Sequence, residues 1–192
     1  MNEIRIGEAR RPEDDATPDV IVELSHQQAR IFQLIGEVRR SKGAERLATF
    51  AELREFLIMH ETAEQMVVRP VVAAILGHPD SPEPAREVER TQEILDDACR
   101  SPDGEEDMSF LIRFAVLESE VGARAARETG DEWSALAYGC SAQQRERMGR
   151  QLRAASASVR GRLHGRRMRR LPCATGGRHG CGTDYGARLA NR

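Results

Sequence analysis

Aromatic residues make up only 4% of this 192-residue chain, with a single tryptophan and two tyrosines. A β-sandwich or barrel would show aromatic and β-branched residues in period-two alternation, and no stretch here does. Lysine is almost missing too. Lys42 stands alone beside 28 arginines, a bias that points to GC-rich coding sequence rather than to a nucleic-acid surface. The four cysteines, Cys99, Cys140, Cys173 and Cys181, lack paired spacing. The opening run MNEIRIGEARRPEDD has no apolar segment of the kind an export signal needs. A disulfide framework is therefore not expected, and the cysteines read as reduced thiols of a cytoplasmic protein. No window approaches the roughly 18 apolar residues of a membrane span, so no membrane partner is expected.

What is present suits amphipathic helices: 40% apolar residues, chiefly Leu, Val, Ile and Ala, and 31% charged. The length suits one domain. The net charge of -2 conceals an asymmetry, because residues 160–192 hold nine arginines and only Asp184 as an acid. The remainder carries 20 basic and 30 acidic side chains, a balance of -10. We divide the chain into a disordered segment at 1–16, a helical bundle at 17–156 and a disordered Arg/Gly-rich tail at 157–192. The tail lacks apolar periodicity. It reads as a solvated appendage, removable from about Ala155 at little cost, and nucleic acid is not its expected partner. Its Cys173, His179 and Cys181, with His164, include zinc-ligand residue types but lack the C-x2-C clamp of a structural zinc site.

Helix punctuation is clear. A first helix is expected from Pro18 and Asp19 to Ser41-Lys42-Gly43, and a second from Ala44 to Leu76, stopped by Gly77-His78-Pro79. A third spans Pro84 to Arg100 and a fourth Glu105 to Tyr138, and Ser141 caps a short fifth helix ending near Ala155. The fold class is all-α: an antiparallel up-down four-helix bundle with a short extra C-terminal helix.

On the second helix, Phe50, Leu53, Leu57, His60, Glu64, Val67, Val71 and Ile75 form one apolar stripe interrupted by His60 and Glu64. A carboxylate inside a core costs several kcal/mol unless it is paired, protonated or bound to a cation. The fourth helix repeats the design through Leu111, Phe114, Leu117, Val121, Arg124, Glu128 and Glu132. The two helices align, Leu53 with Leu117, Leu57 with Val121, His60 with Arg124, Glu64 with Glu128 and Pro70 with Ser134. A doubled helix pair sends polar groups from both halves to one centre, as in carboxylate-bridged metal bundles.

The run from His60 to Pro70, HETAEQMVVRP, closely resembles the H-x-x-x-E segment and following proline of bacterial hemerythrin-like (HHE cation-binding) domains. The segment from Asp19 to Ile31 is similar to that family's first helix, and the resemblance extends over about residues 19 to 155. It implies a non-enzymatic di-iron module that binds oxygen or responds to redox state, with dioxygen or a similar small ligand as its partner. Carried over residue by residue, it implies His60, Glu64 and Glu128 as metal ligands. The other ligand positions are eroded. The first-helix position falls on Gln28, with His26 on the opposite, solvated face. The third-helix position falls on Gln92, with Arg90 and Thr91 left open, and the remaining histidine position is Arg124. Arg124, a permanent cation, is expected to neutralise Glu128 and Glu64 in place of metal. His78 reads as a loop residue. The ligand set is therefore degraded and metal binding impaired. The alternative is a metal-free bundle that serves as a structural or regulatory partner-binding element. A carboxylate-bundle oxidase is disfavoured, since no second H-x-x-x-E motif is present.

Overall fold

The computed structural model describes residues 19–77, 89, 90, 93, 95 and 108–169. Every element among them is helical, in keeping with a helical bundle. The expected disordered segment at 1–16, most of the expected helix at 84–100, and His78 lie outside the described residues.

Helix α1 (Val20–Arg40) starts where Asp19 caps it, the carboxylate accepting from the Ile21 amide at 2.9 Å. Helix α2 runs Gly43–Val67, and Val68 breaks it before a short α3, Arg69–Leu76. The expected single helix from 44 to 76 is thus two helices. Pro70, in the first turn of α3, has no N–H to donate back toward Met66, and its ring crowds that carbonyl. The break resets the helical phase. Val72 is buried beyond it, whereas Val71 is only partly covered and Ile75 is exposed. Gly77 then ends α3 in the left-handed region (φ 76°), a backbone state that favours glycine.

Helix α4 (Met108–Arg127) passes into a π-helical segment, Glu128–Glu132, and resumes as α5, Trp133–Gly139. The two aligned halves are therefore both irregular just beyond their glutamate, at Val68 after Glu64 and at 128–132 after Glu128. Their aligned residues also share burial: Leu53 and Leu117, Leu57 and Val121, His60 and Arg124, and Glu64 and Glu128 are all buried.

Helix α6 departs most from expectation. A reciprocal capping box opens it, the Ser141 hydroxyl accepting from the Gln144 amide (3.3 Å) while the Gln144 side chain accepts from the Ser141 amide (2.7 Å). The helix then runs Ala142–Arg169, 28 residues, and packs on both α1 and α2. The expected end near 156 and the disordered tail from 157 are therefore corrected up to Arg169, while residues 170–192 lie outside the described residues. Met148, Leu152, Ala155, Ser156 and Val159 are all buried, a narrow stripe of largely small residues set among arginines.

The core has two apolar layers. One gathers Ile31, Leu34, Phe50, Leu53, Leu57, Phe114 and Leu117 around three packed phenylalanines, with Phe50 edge-on to Phe110 at 5.4 Å. The other gathers Val20, Leu24, Ala63, Val68, Val72, Leu136, Met148 and Leu152. Between these layers lie the polar residues Gln27 and Gln28 of α1, His60, Glu61 and Glu64 of α2, Arg124 of α4 and Glu128 at the start of the π segment.

Candidate metal centre

That polar layer is the candidate site. Apolar turns buried on both sides fix the phase of each helix, so the i, i+4 pair His60 and Glu64 is turned inward with no solvent to reach. The structure brings His60, Glu64 and Glu128 together: one ring nitrogen and one oxygen from each carboxylate lie within 4.8 Å of one another. All three are at least nine-tenths buried.

The hydrogen bonds define the imidazole. His60 Nδ1 lies 2.9 Å from Gln27 Oε1, and the Gln27 amide nitrogen donates to Ser156 Oγ (3.3 Å) and Glu23 Oε1 (3.4 Å). Since Gln27 spends its donors there, Oε1 must accept, which assigns the proton to Nδ1 and leaves Nε2 with a free lone pair. A metal-ligating histidine is usually held in this way. Burial pulls the His60 pKa down to about 4, against the attraction of Glu128, and the positive charges of Arg124 and Arg69 act in the same direction as burial. The ring is neutral at physiological pH.

Burial also pushes both carboxyls up to about 7. Arg69 opposes the effect at Glu64, while at Glu128 the neighbouring Glu64 reinforces it and His60 and Arg69 oppose it. Glu64 Oε1 is buried with no hydrogen-bond partner among the described residues.

Two guanidiniums share the layer. Arg124 donates to Glu61 Oε1 at 2.7 Å, a buried pair in which Glu61 was not anticipated. Burial works against the Arg124 charge, but Glu61 and Glu128 outweigh it and raise its pKa above the ordinary value. Arg124 was expected to be the direct partner of Glu64 and Glu128. The guanidinium seen bridging them is that of Arg69, which donates to Glu128 Oε1 at 3.1 Å, to Glu64 Oε2 at 3.4 Å and to Glu132. Arg69 follows the helix break, where the stripe of α2 no longer predicts which side faces inward.

Gln28 is half-buried and donates to Glu128 Oε2 at 3.2 Å, so both Gln27 and Gln28 touch the site. His26 is exposed, as expected, and so is His164 on α6. Arg90 is exposed and pairs with Glu120, away from the centre. Thr91, Gln92, Cys173, His179 and Cys181 lie outside the described residues.

A small cavity of about 20 Å³ beside the cluster, lined by Gln28, Leu57, His60, Glu61, Arg124 and Glu128 but not by Glu64, has room for one water. Two iron ions in such a bundle engage roughly six protein ligands. The three ligands found among the described residues, accompanied by two guanidiniums, do not meet that requirement. One ion suits this donor set better: in a tetrahedral site, ligand atoms about 2.0 to 2.2 Å from a common cation lie roughly 3.3 to 3.6 Å apart, so the three side chains would close by about 1 Å to hold it. No family model, curated protein or solved structure matches the chain, and the geometry of this layer carries the functional argument.

Proposed function

We propose that the chain is a non-enzymatic, hemerythrin-like cation-binding bundle, up-down and antiparallel, whose centre takes one divalent cation in place of two irons. The carrying observation is the convergence of a neutral imidazole and two carboxylates within 4.8 Å in a buried layer. Charge favours the same reading, because Glu64, Glu128 and Glu132 share the guanidinium of Arg69 while Arg124 pairs with Glu61. Iron is the ion the family resemblance suggests, and imidazole with carboxylate suits iron, zinc or manganese alike. With one ion and no bridging partner, oxygen carriage of the di-iron kind is not expected of this chain.

Anaerobic iron(II) titration followed by exposure to air tests the reading. It predicts about one iron per chain, lost in His60→Ala, and no oxo-bridged absorption band. Two irons per chain with that band would restore the di-iron assignment.

A second reading, a metal-free bundle acting as a structural or regulatory partner, draws on the bridge that Arg69 makes between Glu64 and Glu128. Failure of iron, zinc and manganese alike to bind would favour it.

A further inference from the structure

The cation site and the Arg69 bridge use the same carboxylates. Arg69 Nη2 reaches Glu64 Oε2 and Glu128 Oε1 together, the two residues that with His60 would hold an ion, while Nη1 bonds Glu132. The four groups form a graded series. The side chains of Glu64 and Glu128 are 2% and 4% exposed, whereas those of Arg69 and Glu132 are both 15% exposed. Arg69 and Glu132 are thus the more exposed members of the cluster.

The backbone around it is unusual on both flanks. Arg69 is the first residue of α3, immediately past the break at Val68, and its acceptors include both ends of the π segment, Glu128 and Glu132. π turns are rare and concentrate at functional sites. A short helix that begins at a break can shift its first side chain without unwinding α2. Glu132 Oε2 is also buried without a hydrogen-bond partner among the described residues, which leaves it an acceptor for a displaced guanidinium or an incoming ion.

We infer that Arg69 is a tethered competitor for the cation site: a divalent cation is admitted only when the Arg69 guanidinium gives up Glu64 and Glu128 and withdraws to Glu132 and solvent. This rests on the one-cation reading and adds its regulation. The physical reason is charge. A guanidinium and a divalent ion held by the same two carboxylates repel strongly in a buried layer. The empty-handed protein is thereby kept from leaving two carboxylates facing each other, and weakly held cations are excluded.

Zinc titration calorimetry on the full chain tests this, with helix content checked by circular dichroism. Arg69→Gln and the volume-conserving Arg69→Met are expected to bind about one zinc at least tenfold more tightly than the parent. Arg69→Lys, which retains a cation, should stay close to the parent. The exposed arginine of the Arg39–Glu118 pair provides a control, and Arg39→Gln should change nothing. Methylguanidinium added to Arg69→Ala should weaken zinc binding by competition. If the parent binds one zinc and neither Arg69→Gln nor Arg69→Met binds it more tightly, the competitor role is overturned while the cation reading stands. If neither the parent nor any Arg69 variant binds zinc, the cation reading is overturned and the competitor role with it.

Discussion

Replacing Arg124 by methionine removes the charge that faces Glu61 but keeps most of the side-chain volume. The pair is buried, at 10% and 2% side-chain exposure, and joined at 2.7 Å, so the screening that makes surface ion pairs weak does not apply. Truncating one partner of such a pair strands the other, at a cost of about 3 to 5 kcal/mol. For a chain of this size each kcal/mol lowers Tm by roughly 2 to 4 °C, so Arg124→Met should melt roughly 6 to 20 °C lower than the parent. Glu61→Leu alone should cost a comparable amount, because it strands Arg124. The double variant should recover most of the loss, since a buried ion pair replaced whole by apolar residues is often neutral. Thermal and urea unfolding of the four proteins, with EDTA present, form a double-mutant cycle. The reasoning is refuted if Arg124→Met is neutral, or if the double variant loses as much as the two single variants added together.

Three further outcomes follow from the same structure. In metal-free protein, Glu64 and Glu128 titrate near 7 when folded against 4.5 when unfolded, so the folded chain holds more protons between those values and stability falls as pH rises from about 5 through 7. His60, lowered from 6.5 to about 4, acts oppositely below about 6.5 and offsets part of this, so Tm should be higher at pH 5.5 than at pH 8, and a Tm that rises over that interval would contradict the assignment. Ending the chain at Ala155 removes Ser156 and the buried Val159, and with the loss of about 1.5 to 3 kcal/mol of apolar burial Tm should drop by several degrees, whereas an unchanged melt would return α6 beyond Ala155 to the status of a tail. Ser141→Ala, which breaks the capping box, should cost about 1 kcal/mol by urea unfolding without altering metal affinity.

Helical class, the Asp19 and Ser141 starts and the polar interruption by His60, Glu64, Arg124 and Glu128 were legible because each depends on local spacing against a long apolar stripe. What escaped reading depends on departures from that spacing. Arg69 lies beyond a break that resets the helical phase, and the π segment inserts an irregularity that no residue type announces. Glu61, one residue off the stripe, reads as solvated, yet the layer is wide enough for it to meet Arg124. Gln27 and Gln28 are adjacent, and periodicity favoured the one that touches Glu128 over the one that orients His60. The buried stripe of α6 is narrow and includes Ala155 and Ser156, a pattern that arginines on every other side obscure.

The most direct test of the central claim is anomalous diffraction from crystals grown with zinc. The account predicts a single peak between His60, Glu64 and Glu128, with the Arg69 side chain withdrawn toward Glu132. Two peaks about 3.5 to 4 Å apart, as in two-metal sites, or a polar layer with no peak while Arg69 still bridges Glu64 and Glu128, would contradict it.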